Sequence, residues 1–240
     1  MNMLLIDKPA GWTSFDVVAK LRGRLRAQYA ARGEKPTKRQ LKVGHTGTLD
    51  PFATGLLIIL RGDDCAHTNE FLKLDKTYEA TFVLGKVSST GDPEGAIEEW
   101  SMAKGSRGDE QKNMTKVGPK TPSEEQINDT LRRFTGEIEQ TPPAFSAINI
   151  NGKRAYELAR KGQEVKIPPR RVTIYSLELL SYLYPELRVR AHVSSGTYIR
   201  SLAEDIGSAL GTGAYCAELR RTRIAAYDVK DAVLVDEALA

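Results

Sequence analysis

The sequence predicts a single α+β domain. Three observations carry that expectation: strand-like and helix-like segments follow one another without a steady strand-helix-strand repeat, no stretch in the middle has a linker's composition, and no self-similarity recurs at repeat-protein periods. A length of 240 residues would accommodate one large domain or two small ones, with ample chain for a buried core.

Residues 2–7 read as a short strand stopped by Pro9 and Gly11. Thr13 or Ser14 then caps a helix whose Val17, Val18, Leu21 and Leu25 form one apolar stripe. Residues 56–60 are continuously apolar, as suits a strand buried on both faces, whereas Tyr78, Ala80, Phe82 and Leu84 alternate with Glu79, Thr81 and Val83 like a strand covered on one face. Residues 101–120 are rich in Gly, Lys and Ser without periodicity, and a mobile surface insertion is expected there. Ser123 and Gln126 make a capping box that opens a helix through Ile127, Leu131 and Phe134, ended by Gly136. Strands over 172–180 and 186–193 precede a helix over about 199–210, with a stripe of Ile199, Leu202, Ala203, Ile206 and Leu210 and a stop at Gly211.

Composition excludes disordered, collagen-like and strongly acidic classes but names no partner, since 35 Lys and Arg face 31 Asp and Glu. Cys65 and Cys216 are far apart, as are His45, His67 and His192, which argues against a disulfide framework or a structural zinc site. The longest apolar runs, 3–6 and 56–60, are far below the roughly 20 residues that cross a bilayer. A soluble protein in a reducing compartment is expected, without membrane association, and the Asn-x-Thr triplets at Asn113 and Asn128 are then chance matches to a glycosylation acceptor. Location is read as cytoplasmic, an organelle being compatible if a transit peptide has been removed.

Residues 44–55, Gly-His-Thr-Gly-Thr-Leu-Asp-Pro-Phe-Ala-Thr-Gly, are the most unusual in the chain. Three Gly, three Thr and one Pro between a basic stretch and a buried strand describe a tight, backbone-exposed loop that carries the imidazole of His45 and the carboxylate of Asp50. Taken alone, Leu49-Asp50-Pro51 is an ordinary turn.

The loop resembles the hallmark segment of the TruB family of tRNA pseudouridine synthases, and seven further blocks resemble that family in the same order. They are Leu5-Ile6-Asp7-Lys8-Pro9-Ala10-Gly11-Trp12-Thr13-Ser14, Lys76-Thr77-Tyr78-Glu79-Ala80, Thr90-Gly91-Asp92-Pro93-Glu94-Gly95 and Gln140-Thr141-Pro142-Pro143-Ala144-Phe145-Ser146-Ala147. Gly152-Lys153-Arg154-Ala155-Tyr156-Glu157-Leu158-Ala159, a block from Ser195-Gly196-Thr197-Tyr198-Ile199-Arg200 to Asp205, and Leu219-Arg220-Arg221-Thr222-Arg223 complete the set.

The resemblance implies a pseudouridine-synthase catalytic domain over 1–240 with a mixed, largely antiparallel central sheet, flanking helices and a thumb-like RNA-binding insertion at about 136–170. It also implies conversion of uridine to pseudouridine, at position 55 in the T loop of tRNA, by base flipping and aspartate nucleophilic catalysis. That reaction breaks N1–C1′, turns the captive base, joins C5 to C1′ and removes the C5 proton, so neither electrons nor phosphate enter. No cofactor or metal is expected; the sequence has no Walker loop, and Gly211-Thr212-Gly213 lacks a third glycine and follows a helix.

By the motifs, Asp50 is the nucleophile. Arg200 is the buried arginine that would pair with Asp50 and keep it ionised. Tyr78 is the base-stacking tyrosine and a candidate for handling the C5 proton, and Tyr198 and Leu219 line the uridine pocket. His45 would contact RNA where the flipped nucleotide has left, and Lys8 with Pro9 would support the loop. Lys153, Arg154, Arg160 and Lys161, followed by Lys166, Arg170 and Arg171, would contact RNA from the thumb-like segment, and residues 20–42, with nine Lys and Arg against Glu34, could extend that footprint. About 27–40 of that stretch looks like an insertion relative to compact bacterial members.

Only residues 224–240 follow the Leu-Arg-Arg block, so the small C-terminal RNA-binding module of many bacterial relatives, a PUA-type module, is expected to be lacking. The expected partner is the T-arm stem-loop of tRNA, with no obligate protein partner and a monomeric chain. A non-catalytic tRNA chaperone and a guide-RNA-dependent synthase are the alternative readings.

Overall fold

The computed structural model describes residues 2–101, 121–146, 148–150, 152–163 and 167–239. The insertion expected at 101–120 falls, from 102 onward, outside the described residues, as do Ala147 and Lys166.

The elements run in the order β1 (Met3–Lys8), α1 (Ser14–Ala31), β2 (Val43–His45), β3 (Thr54–Arg61), α2 (Thr68–Leu72), β4 (Lys76–Leu84), β5 (Lys86–Ser88) and β6 (Ile97–Glu99). There follow α3 (Glu124–Arg133), β7 (Gly136–Gln140), β8 (Asn149–Ile150), β9 (Lys153–Arg154), α4 (Ala155–Arg160), β10 (Arg170–Leu183), β11 (Glu186–Val193), α5 (Ile199–Ala209), β12 (Ala214–Ile224), β13 (Tyr227–Asp228) and β14 (Val233–Leu234). The strands make a mixed, mostly antiparallel sheet flanked by helices, the α+β arrangement that the sequence predicts. Among the described residues no helix is long and apolar enough to cross a membrane. The chain forms two compact units, one of Met1–Glu79 with Leu219–Ala240 and one of Ala80–Glu218, and passes from one to the other inside β4 and again inside β12.

In the first unit β3 is the organising strand. One edge pairs antiparallel with β1 from Met3↔Leu60 to Lys8↔Gly55. The other edge pairs with β12 at Arg220↔Thr54 and Arg221↔Gly55, in parallel, and with β2 from Val43↔Arg61 to His45↔Ile59, antiparallel. Both faces are covered, which is why the run is apolar without alternation. Leu57 and Ile59 pack with Val17, Val18, Leu21 and Leu25 of α1, and Leu56, Ile58 and Leu60 pack with Phe71 and Ile224. Helix α1 starts with a capping box between Thr13 and Asp16, so Thr13 is the cap and Ser14 is released for a different task.

The residues after the Leu-Arg-Arg block are integral to this unit. β14 adds to β1 in parallel at Ile6↔Val233 and Asp7↔Leu234, and Val235 and Ala238 are buried beside α1. Arg24 Nη1 donates to Ala238 O at 2.7 Å and Gln28 Nε2 to Leu239 O at 2.8 Å, while Asp236 accepts ion pairs from Lys20 and Arg24.

In the second unit β10 pairs antiparallel with β11 and, from Arg170↔Gln140 to Ile174↔Gly136, with β7. Ser123 and Gln126 make the expected capping box for α3. α5 begins at Ile199 as the stripe predicts, and β8 and β9 form a small hairpin ahead of α4. Three elements differ from the sequence expectation. β7 starts at the glycine read as a helix stop; β10 runs over 14 residues; and β12 occupies a segment read only as a motif, its alternation masked by the buried charge of Arg221.

Gly55 sits where β3 meets β12 at φ +101°, and a Cβ there would lie 2.3 Å from Arg221 O and 2.8 Å from Arg221 N. Gly55→Ala is therefore expected to lower unfolding free energy by about 2–4 kcal/mol through strain and overpacking, measured by urea unfolding of the purified variant.

Candidate active site

The loop over 44–55 is built by cations that the core has swallowed. Lys8, the last residue of β1, is fully buried, and its ammonium donates to Pro9 O (2.9 Å), Trp12 O (2.6 Å) and Pro51 O (3.3 Å). Gly11 N donates to the same Pro51 O at 2.8 Å. A buried ammonium has three donors to satisfy, and placing backbone carbonyls around it ties the turn after β1 to the peptide that follows Asp50. The expected supporting role of Lys8 thus has a geometric form.

Ser14 clamps the residue before Asp50: Leu49 N donates to Ser14 Oγ at 2.8 Å, and Ser14 Oγ lies 3.3 Å from Leu49 O. Arg221, 1% exposed, holds both sides of the loop, donating from Nε to Leu56 O at 2.8 Å and from Nη2 to Gly47 O at 3.1 Å. Its neighbour Arg220 makes a two-nitrogen pair with Asp7, at 3.0 and 2.6 Å. Asp50 itself is half-buried, and its carbonyl closes a turn by accepting from Ala53 N at 3.1 Å. The carboxylate therefore projects from a backbone anchored before it, after it and on either flank.

His45 ends β2 on the same loop and is half-buried. Burial, and secondarily the Arg221 charge, hold its imidazole below the ordinary 6.5, so it is neutral at pH 7. Tyr78 and Leu219 are both buried in this unit, Tyr78 on the covered face of β4 that the alternation predicts. On the same face Lys76 is pushed down to about 8, chiefly by burial and then by Arg221, its ammonium held by Leu72 O and Leu74 O.

The second unit carries Tyr198 and Arg200. Arg200 is 3% exposed and reads its surroundings with both terminal nitrogens: Nη1 donates to Thr90 O and Asp92 Oδ2, each at 3.0 Å, and Nη2 to Phe145 O at 2.9 Å. Asp92 is buried too and accepts from Thr90 Oγ1 (2.6 Å) and Glu94 N (3.0 Å). Removing either partner of such a buried pair typically costs about 3–5 kcal/mol, so the pair dictates where the guanidinium can be. The Tyr198 backbone is fixed by Gln140, which accepts from Tyr198 N at 2.8 Å and donates to Tyr198 O at 3.0 Å, and the Arg170 guanidinium lies 5.1 Å from the Tyr198 ring centroid. Lys153 is exposed in β9, beside Arg154; Arg160 ends α4, and Lys161 is exposed just beyond it.

Sequence reasoning missed Ser14, Asp92, Gln140 and Arg221 as positioning residues. All four lie inside the motif blocks, but only Arg221 had a local sign, a charge in register with the buried Leu219 two residues before it.

Residues 35–199 match the family model described as TruB family pseudouridylate synthase (N terminal domain), and residues 200–240 match that of the tRNA pseudouridylate synthase B C-terminal domain. The second match overturns the expectation of a missing C-terminal module. The segment after the Leu-Arg-Arg block is short, yet it carries strand pairing and core residues of its own. The chain is similar to tRNA pseudouridine synthase B of Aquifex aeolicus (43% identity over 238 residues, 98% of this chain and 72% of that protein). It is likewise similar to that of Bacteroides fragilis (42% over 237 residues, 99% and 91%). Among solved structures, a chain of a Cbf5-Nop10-Gar1 complex aligns with a TM-score of 0.67 and 27% identity over 99% of this chain and 53% of that one.

Because its pKa is depressed on folding, neutral His45 contributes stability that is present above pH 6.5 and declines as pH falls. His45→Gln is expected to flatten the acid side of the stability profile, measured as unfolding free energy between about pH 7 and 5. An unchanged slope would contradict the burial-driven shift.

Proposed function

The chain belongs to the TruB family of pseudouridylate synthases, and from that premise we propose that it isomerises uridine to pseudouridine in the T loop of tRNA, at position 55. The observation that carries this reading is the family match over residues 35–199, which contains Asp50 on a loop anchored by the buried side chains of Lys8, Ser14 and Arg221.

The chemistry asks for a carboxylate held still while a nucleoside is taken apart and rejoined. With the target base extruded from its stack, Asp50 attacks as nucleophile and the N1–C1′ bond breaks. The freed uracil turns without leaving, C5 bonds to C1′, Asp50 is regenerated as a carboxylate, and the C5 proton is lost while N1 takes one up, so the reaction is a net isomerisation. By the motifs, Tyr78 is assigned to stacking on the base and handling that proton, Tyr198 and Leu219 to lining the uridine, Arg200 to stabilising the carboxylate and His45 to the gap in the RNA stack. A loop whose carbonyls are already committed cannot relax around the nucleophile, so little reorganisation is needed when charge develops. These roles rest on the motifs, residue by residue.

RNA contact is assigned to Lys153, Arg154, Arg160 and Lys161 of the thumb-like segment, with phosphate contacts giving affinity that falls with salt. The chain works as a cytoplasmic monomer on tRNA without a cofactor or an obligate protein partner.

Purified protein incubated with a bare T-arm stem-loop RNA is expected to form pseudouridine at the T-loop uridine, read by tritium release from C5-labelled uridine. Asp50→Asn is expected to lose activity by a factor on the order of 10³ or more while binding RNA within a few-fold of the parent. Unchanged turnover in the variant would overturn the assignment of Asp50. Product only on addition of a guide RNA would instead favour the guide-dependent reading, and RNA refolding without any product would favour a chaperone.

A further inference from the structure

The basic stretch at 20–42 is one run in sequence but not in the structure. Lys20 and Arg24 are paired with Asp236, and Arg39 is paired with Asp63. Arg22 and Lys42 make no ion pair among the described residues, and both line a cavity of about 330 Å³ together with Phe15, Val18, Val43 and His45. Arg22 is half-buried, tethered by Nη2 to Val43 O at 3.2 Å. Asp63, the acid whose charge Lys42 feels, is already engaged by Arg39.

Phe15, Val18 and Arg22 follow the i, i+3, i+7 spacing of one helix face. Val18 and Val43 are buried and form an apolar floor, whereas Phe15 is 62% exposed. An exposed aromatic ring and two cations that make no ion pair among the described residues, around a cavity of nucleotide-scale volume with an apolar floor, are the composition of a site for a stacked base and its phosphate. Cys65 borders the cavity with its thiol donating to Leu60 O at 3.2 Å, and burial raises its pKa, so it is a neutral wall.

We propose that this cavity is a second nucleotide subsite for the RNA substrate: it takes one nucleotide other than the target uridine, its base on the Phe15 ring and its phosphate between Arg22 and Lys42. This inference rests on the proposed RNA substrate and extends the footprint beyond His45 onto α1. Paired cations such as Lys20 and Arg24 lie on the same helix yet stand outside the site.

The test is binding of a T-arm stem-loop RNA by fluorescence anisotropy across a salt series, with isomerisation measured in parallel at saturating RNA. Phe15 and Lys42 are exposed enough to be replaced without disturbing the core, and thermal unfolding of each variant checks that. Phe15→Ala is expected to weaken binding roughly 5- to 100-fold with an unchanged salt slope, and Phe15→Tyr to restore it. Lys42→Gln is expected to weaken binding severalfold and lower the slope of log K against log salt by about 1. Lys20→Gln, already paired with Asp236, should change neither quantity. Parental affinity and slope in both folded Phe15→Ala and Lys42→Gln would overturn the subsite. Absence of pseudouridine from the parent protein would strike the proposed function instead, and the binding results would still judge the cavity.

Discussion

Everything about the Asp50 loop follows from two cations that cannot reach water. Lys8 and Arg221 are each at most 1% exposed, and an uncompensated charge at such depth would be prohibitive. Both donate to main-chain carbonyls: Pro9, Trp12 and Pro51 around Lys8, and Gly47 and Leu56 around Arg221. The cations need the loop as much as the loop needs them. A segment with three glycines, otherwise costly to order, acquires a single backbone path.

The strands exist in the register that makes this possible. β1 ends at Lys8 opposite Gly55, and β12 brings Arg221 beside the same Gly55, so the two cations enter the loop region along neighbouring strands of β3. Gly55 lacks a side chain because Arg221 backbone occupies that space. Ser14 adds a third fixed point from α1, available because Thr13 and Asp16 close the helix start without it. In the second unit the same device appears with an anion added: Arg200 is aimed by Asp92 and by the carbonyls of Thr90 and Phe145, and Gln140 fixes the backbone just before α5. Buried guanidinium groups, with five donors in a plane, are suited to holding several loops at once.

The C-terminal residues illustrate how length misleads. Seventeen residues after the Leu-Arg-Arg block suggest a missing module, but strand pairing with β1, burial of Val235 and Ala238, and Asp236 beside Lys20 and Arg24 make them part of the first unit's core and charge balance. That docking also divides the basic stretch, leaving Arg22 and Lys42 to line a cavity with an exposed aromatic ring.

Local pattern makes legible the fold class, the capping of α1 and α3, the doubly buried β3, the one-sided β4 and the position of α5, and it picks out Asp50, Tyr78 and Arg200 as candidates. These are legible because periodicity, caps and glycine stops act over a few neighbouring residues. Long-range contacts settle that Arg221 is a core residue, that Asp92 directs Arg200, that Gly136 opens a strand and that the last residues add to the first unit's sheet. Each of those depends on a partner tens to hundreds of residues away. A charged side chain carries no local mark of whether its counterpart will be water, a carboxylate or the carbonyls of a loop it must hold.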